Sequence, residues 1–313
     1  MRASIGKILQ GLPPAEGAFA YGSGVFPQGR PPSPMLDLLL IVDDPAQWHA
    51  ENLRVNRSHY SWPFFFPSAP SPSLVAKLGD VGPGVYFNTL VPLAEGADWP
   101  YLKYGVASTE TLENDCETWQ WLYLAGRLQK PTLRLTSDAR IDRAMRRNHA
   151  FALNAALLAL PSTFSSVDLF SVIAGLSYGG DVRFAFHAED PRKIHNIVHH
   201  NLRRFHDTYR EPLEAAQRRF HLIRMNSRRR PHHHHLEEEE EEDWVFSQED
   251  VDRSELRRHL PPSFAADPDP LRRIRAVVRR SSVAQSLKGI LTAGPSKARA
   301  YLRAKFDKAA AAR

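Results

Sequence analysis

The order of apolar and polar positions divides the chain into two unlike parts. Residues 36–42, Leu-Asp-Leu-Leu-Leu-Ile-Val, form a short apolar run around one carboxylate and read as a buried strand. The run ends in Asp43-Asp44-Pro45. An aspartate followed by proline at the first helical position starts a helix, so one is predicted from Pro45 to Val55. A Pro/Ser/aromatic loop fills 61–73. Strands are then expected at Val85–Pro92 and Trp99–Ser108, a hairpin closed around Ala94–Asp98. From Glu110 to Leu128, residues Leu112, Cys116, Trp119, Leu122 and Tyr123 recur at helical spacing, and Lys130-Pro131 ends that helix. With the turn at 22–24, these elements describe an α/β unit.

The second part reads as helices. Asp138–Leu160 is a long helical pattern stopped by Pro161. Ser165-Ser166-Val167-Asp168 has the form of a capping box leading into Leu169–Ser177, and Asp190–Tyr209 is a further helical stretch rich in His and Arg. Residues 227–243 pass from arginines through four histidines to six glutamates, a low-complexity run expected to be disordered. Consecutive histidines cannot all converge on one ion, so the run is not read as a metal site. Helices are expected again near Gln248–His259 and Leu271–Lys288. The resulting division is an α/β domain over 1–130, a helical domain over 131–226, a disordered insertion over 227–247, and C-terminal helices with a basic tail over 248–313.

Composition narrows the classes. At 313 residues, 42% hydrophobic and 24% charged, the chain can build two proper cores. The single cysteine, Cys116, excludes an intrachain disulfide framework and any zinc site built on several cysteines. No apolar run has the length of a membrane span; Leu38–Val42 is short, and Ala150–Leu160 is interrupted by Asn154. The first twenty residues carry Arg2 and Lys7 without a convincing apolar signal segment. The net charge of +6 is unevenly spread: from Leu271 onward twelve Lys and Arg residues face one acid, Asp307. Such a tail suits an anionic surface, phospholipid or nucleic acid. Within it Leu271, Ile274, Val277 and Val278 recur at helical spacing among Arg272, Arg273, Arg275, Arg279 and Arg280. This reads as a basic amphipathic helix for anionic lipid, with docking on the protein itself as the alternative. The aromatic loop Trp62–Pro67 is a second candidate for the interface, or for the core.

The candidate chemistry lies in Tyr21-Gly22-Ser23-Gly24 and Asp37. A glycine-rich turn lets backbone amides approach a triphosphate, Ser23 can donate to a phosphate oxygen, and a strand carboxylate beside it can hold Mg²⁺. This is the arrangement that nucleotidyl transfer needs. The plain alternatives are an ordinary turn and a solvated aspartate at a strand start. Nucleotidyltransferase folds usually carry a second acid two positions on, where this chain has Leu39. Asp43 has the right parity but lies about 20 Å away at strand rise, and Asp44 is a helix cap.

Phe19 to Phe26 with Gln28 resembles the signature of the Tam41/Mmp37 family of mitochondrial CDP-diacylglycerol synthases. So do Asp43-Asp44-Pro45 with Trp48-His49, Asn56 with Ser58 to Ser61, Gly84 to Thr89, Lys103 to Val106, and Leu122-Tyr123 with Ala125 to Pro131. Ala174 to Tyr178, Gly180-Asp181, Gln285-Ser286, Lys288 to Ile290 and Thr292 to Gly294 extend the likeness into the second half. The resemblance implies a nucleotidyltransferase-fold domain followed by a mainly helical, winged-helix-like domain. It implies that CTP and phosphatidic acid give CDP-diacylglycerol, which feeds cardiolipin synthesis, and pyrophosphate. It places the protein on the matrix side of the mitochondrial inner membrane as a peripheral enzyme on an anionic phospholipid surface. Asp37 would then bind Mg²⁺, and Lys103 would face the phosphates. Tyr21, Gly22, Ser23, Gly24 and His59 would line the nucleotide, with Arg127 and Lys130 on the triphosphate or lipid phosphate. Asp181 could reach the site from the second domain. Each has an ordinary alternative: Lys103 as a solvated strand lysine, His59 as a surface histidine, Asp181 as a turn cap, and Arg127 and Lys130 as cations favoured at a helix C-terminus. Leu39 would be a family trait. No nucleic-acid partner is expected, although a nucleotidyltransferase acting on nucleic acid and a non-catalytic import-assembly factor are the competing readings.

Overall fold

The computed structural model describes residues 1–29, 31, 33–60, 71–180, 192–229 and 242–289. Its first part is a five-stranded mixed sheet. Helix α1 (Arg2–Gln10) precedes β1 (Gly17–Tyr21), β2 (Met35–Val42) and α2 (Pro45–Val55); α3 (Pro72–Asp80), β3 (Tyr86–Pro92) and β4 (Tyr101–Ser108) follow. With β5 (Leu133–Thr136) the strand order is β3-β4-β2-β1-β5. β2 lies at the centre, parallel to β4 and antiparallel to β1. Leu36, Leu38, Leu39, Leu40 and Ile41 are all fully buried, because both faces of the central strand are covered. The strand alternation sends Phe19, Leu39 and Ile41 to one face, against Leu112, Cys116 and Ile141. It sends Ala18, Ala20, Leu36, Leu38, Leu40 and Tyr104 to the other, against Ile5 and Trp48.

Asp44 caps α2 as expected, accepting from Ala46 N (2.9 Å) and Gln47 N (3.0 Å). The hairpin β3–β4 also forms. The single helix expected over Glu110–Leu128 does not. It is split into α4 (Thr109–Thr118) and α5 (Leu124–Leu128), with Trp119 in the left-handed region at φ 54°. The cause is Asp115, 2% exposed, whose carboxylate accepts from the backbone N–H of Trp121, Leu122, Tyr123, Leu124 and Ala125 at 2.7–3.1 Å. Five donors on one carboxylate hold the chain in a tight turn that a straight helix cannot make.

The second part contains α6 (Ala139–Ala159), β6 (Thr163–Ser165), α7 (Ser166–Leu176), α8 (Lys193–His199), α9 (Leu202–Phe220), β7 (Ile223–Arg229) and β8 (Glu242–Ser247). The capping box at Ser165 and Asp168 is present. Of the stretch Asp190–Tyr209, the described residues from 192 on form two helices, α8 and α9, parted at Asn201, whose amide donates to Pro27 O (2.9 Å) and ties this part to the first. The run expected to be disordered begins and ends in strands: β7 and β8 pair antiparallel, and β6 pairs β8 to complete a three-stranded sheet. Pairing overrides the low-complexity composition at both ends, while 230–241 lie outside the described residues. Short helices α10 (Arg253–Arg258) and α11 (Pro262–Ala265) lead to α12 (270–289).

Helix α12 corrects the amphipathic reading of the tail. Its apolar stripe is not left for lipid: Ile274 and Val278 are 2% and 4% exposed, and Leu271 and Val277 pack on the same core. Arg273 donates to Asp267 (3.2 Å) and Arg280 to Gln120 O, lying over the Trp121 ring. Arg272, Arg275 and Arg279 face outward with Val283 and Leu287. At its end, buried Lys288 donates to Gly79 O (2.9 Å) and Val81 O (2.7 Å) at the C-terminus of α3. No helix among the described residues is long and apolar enough to cross a membrane. The aromatic loop Trp62–Pro67, Asp181 and the tail beyond 289 lie outside the described residues.

Candidate active site

The register of three strands assembles the centre of the site. Tyr21 pairs with Asp37 across β1–β2, and Asp37 pairs with Lys103 across β2–β4. In-register neighbours project to the same face, so Lys103 Nζ meets Asp37 Oδ1 at 3.0 Å, with the two side chains 14% and 20% exposed. Asp37 is thus neither solvated alone nor wasted in an apolar strand: a part-buried ammonium compensates it. The Lys103 ammonium also lies 4.9 Å from the centre of the Phe87 ring.

The turn after β1 fits tightly over this pair. Gly22 has φ +80°, and a Cβ there would stand 3.2 Å from Asp37 Oδ2. Only glycine meets both demands without strain. Gly22 O accepts from Val25 N (3.1 Å) and Phe26 N (2.9 Å), Ser23 O from Ser33 N (3.2 Å), and Gly24 O from the Trp99 indole (2.9 Å). The turn is therefore held from outside, by its carbonyls.

The split between α4 and α5 delivers two more cations. Arg127 lies over Tyr21, 4.3 Å from the ring centre, and 5.4 Å from the centre of Tyr123. Its Nε and the Tyr21 hydroxyl are buried with no hydrogen-bond partner among the described residues. Burial works against the Arg127 charge, but Tyr21, Tyr123 and Asp37 together push its pKa up. Burial raises the Tyr21 hydroxyl to about 12, so it stays a neutral donor. Lys130 donates to Gly126 O and to Ser177 Oγ (2.7 Å). Its pKa is held well below the usual lysine range, first by burial and then by Arg127 and Lys193. Lys130 and Lys193 each place Nζ 5.1 Å from the centre of the Tyr178 ring. A guanidinium nitrogen and a hydroxyl buried without an acceptor among the described residues are the kind of donors that can receive an anion.

Tyr21, Gly22, Asp37, Lys103 and Arg127 are thus brought together, with Lys130 beside them and Ser23 and Gly24 on the turn. His59 is not. It lies with Tyr104, the neighbour of Lys103 on the opposite face of β4, its Nδ1 3.0 Å from that hydroxyl. Asn52 donates to the Tyr104 and Tyr60 hydroxyls (2.8 and 2.9 Å), and His49 Nδ1 is 2.7 Å from Tyr60 Oη. Burial lowers the His49 pKa to about 3, which keeps that imidazole neutral. Asp43 accepts from Thr109 Oγ1 (2.8 Å) and stands 3.9 Å from Arg140, away from Asp37. Lys193, one cation in a His- and Arg-rich stretch whose spacing does not set it apart, comes to the Tyr178 ring at the start of α8.

A family model described as mitochondrial phosphatidate cytidylyltransferase matches residues 5–269. Relatives bearing that same description include one from Xenopus laevis, 38% identical over 310 residues, covering 93% of this chain and 89% of the relative. One from Bos taurus is 37% identical over 330 residues, covering 96% and 93%, and one from Homo sapiens is 37% identical over 314 residues, covering 93% and 67%. The match spans the sheet that carries Asp37 and Lys103 and most of the helices that follow it, and on that extent the chain belongs to the Tam41/Mmp37 family.

Proposed function

We propose that this protein is a phosphatidate cytidylyltransferase, joining CTP and phosphatidic acid into CDP-diacylglycerol with release of pyrophosphate. The carrying observation is the Asp37–Lys103 pair beneath the Gly22 turn, with Arg127 over Tyr21 beside it. A phosphate oxygen of the lipid forms the new bond to the α-phosphorus of CTP while the bond to the β-phosphate oxygen breaks. The lipid phosphate is already ionised at neutral pH, so no strong general base is needed. Catalysis is positioning and charge neutralisation. The Gly22–Gly24 turn receives the triphosphate through its backbone amides, and Lys103 and Arg127 hold its charge. Tyr21 donates from a hydroxyl that has no other acceptor among the described residues.

Among the described residues no cluster of three His, Cys, Asp or Glu side chains can hold a metal. Asp37 supplies one carboxylate, which fits an Mg²⁺ brought by the nucleotide and completed by phosphate oxygens and water; it does not fit a resident all-protein site. When bound there, the ion supplies charge neutralisation at the α-phosphorus.

The nucleotidyltransferase and winged-helix-like domains are part of the same reading. The mixed sheet with a Gly-Ser turn before an acid-bearing strand supports the first. The order α6-β6-α7-α8-α9-β7-β8, with a β6-β8-β7 sheet, supports the second. The boundary is placed after β5 rather than after Lys130, because Leu133–Thr136 pairs with β1 in the first sheet. Matrix-side, peripheral association with anionic phospholipid is proposed from the outward-facing Arg272, Arg275 and Arg279, with Arg273 and Arg280 at the edges of that face. The mitochondrial location is proposed from the relatives, which are described as mitochondrial.

The test is pyrophosphate release by purified protein given CTP, Mg²⁺ and phosphatidate vesicles. The expected result is lipid-dependent turnover that Asp37→Ala reduces by about a thousandfold or more, the scale of a lost transition-state charge contact, while the far-ultraviolet circular dichroism is unchanged. Turnover with an RNA end in place of lipid overturns the assignment. Full activity of Asp37→Ala overturns the site.

A further inference from the structure

Beyond the Gly22–Gly24 turn the chain runs on through Phe26 and Pro27 to Gly29. The near half of this segment lies on the Asp37–Lys103 pair, where an added Cβ at Gly22 would stand 3.2 Å from Asp37 Oδ2. The far half is held by the second part of the chain, at the corner between α8 and α9. Asn201, 3% exposed, donates from Nδ2 to Pro27 O (2.9 Å) and to Ile197 O of α8 (2.9 Å). Its Oδ1 accepts from Arg204 (3.2 Å), whose guanidinium lies 5.4 Å from the centre of the Phe26 ring. His200 packs on Gly29: an added Cβ there would stand 2.6 Å from Cε1 and 2.8 Å from Nε2 of its ring. The ring is itself fixed, with Nδ1 3.0 Å from Asn196 O.

The two halves are joined by short contacts. Phe26 N donates to Gly22 O (2.9 Å), so Phe26 cannot shift without drawing on the carbonyl of the turn. Phe26 is buried in the same core cluster as Leu36, Leu38 and Trp99, and the Trp99 indole holds Gly24 O (2.9 Å). Glycines at 22, 24 and 29, with φ +80° at Gly22 and +65° at Gly29, leave the free segment many conformations. Only some of these aim its amides at a triphosphate. A protein whose turn holds the competent conformation for a fraction of the time binds its nucleotide more weakly by that fraction.

We propose that Asn201 is a positioning residue for nucleotide binding: with His200 it clamps Pro27 and Gly29, and through Phe26 it sets the Gly22–Gly24 turn for the triphosphate. The inference rests on the proposed cytidylyl transfer. Asn201 touches no reacting atom in this arrangement. It makes the affinity of a turn in the first part of the chain depend on a helix corner in the second.

Titration of the full chain with CTP and Mg²⁺, together with steady-state turnover of water-soluble dihexanoyl phosphatidate, tests this in Asn201→Ala. The expected result is a rise of about tenfold in the CTP dissociation constant and in KM for CTP, the upper scale of one lost hydrogen bond, with kcat at saturating CTP within about twofold. KM for phosphatidate should not change. A lower kcat with KM for CTP unaltered overturns the inference, because a merely unstable protein loses active molecules and not affinity. A rise in KM for phosphatidate alone overturns it by placing Asn201 at the acceptor. The loop side of the clamp is tested separately, whether or not Asn201→Ala folds. Gly29→Ala and His200→Ala should each weaken CTP binding, and the double variant by less than the product of the two fold-changes, since both break one contact. Effects that multiply in full overturn the clamp. Wild-type protein that neither binds CTP nor turns over phosphatidate overturns the proposed function itself, whereas an Asn201→Ala protein that binds CTP as wild type does overturns only the positioning role.

Discussion

Asp115 is the residue whose loss most directly tests how this site is supported. Its carboxylate accepts five backbone N–H groups, two on Oδ1 and three on Oδ2. The turn they hold sends α5 back across the sheet with Tyr123 at its start and Arg127 in its last turn. In Asp115→Ala the N–H groups of Leu122, Leu124 and Ala125, all in buried residues, lose their acceptor. At roughly 1–3 kcal/mol for each orphaned buried donor, the loss is about 3–9 kcal/mol. A typical domain has about 5–15 kcal/mol in total, so this variant should be largely unfolded or close to it. Asp115→Asn keeps one acceptor oxygen but aims an NH₂ group at other N–H donors, at a cost of about 2–4 kcal/mol. Urea unfolding followed by tryptophan fluorescence measures both, with Trp119 and Trp121 flanking the turn as reporters. The Asn variant, where it folds, should also lose transfer activity, since Arg127 depends on this turn for its place over Tyr21. An Asp115→Ala protein with wild-type midpoint and slope would refute the reasoning.

Gly22→Ala should reduce turnover while costing about 1–2 kcal/mol of stability, the strain of a side chain at φ +80°; wild-type kinetics would show that the turn does not need its close approach to Asp37. Burial lowers the Lys288 pKa to about 8. The unfolded chain therefore binds more protons than the folded one between pH 8 and the ordinary lysine value, and stability should rise with pH through that window by about 3 kcal/mol. Lys288→Met should lack this rise in urea titrations near pH 7 and pH 10, and an identical slope in both proteins would remove Lys288 as its source. Replacing Arg272, Arg275 and Arg279 together by Ser should weaken sedimentation with anionic vesicles and leave the unfolding midpoint within about 0.5 kcal/mol, as expected for exposed positions. Truncation before 271 should instead destabilise the fold, because it removes Ile274, Val278 and Lys288 from their buried places.

The sequence by itself determined the elements whose signals are local. The apolar run at β2 with Asp37 inside it, the Asp44-Pro45 start of α2, the Ser165–Asp168 capping box and the long helix α6 all follow from spacing and capping chemistry within a few residues. The Gly-Ser turn and Asp37 could be located for the same reason, and the wording around them pointed to the family. Tertiary structure decided everything that depends on partners far along the chain. Asp115 looked like one more polar position in a helix until the backbone N–H groups six to ten residues on turned toward it. The apolar stripe of α12 has the same period whether it faces lipid or core, and packing chose the core. Lys103 became the partner of Asp37 through strand register, which no stretch of β4 alone reveals. His59 went to the other face through its bond to Tyr104, and Lys193 reached Tyr178 only because α8 returns to the end of α7. Periodicity reports which side of an element is apolar, but only the assembled fold says what that side meets.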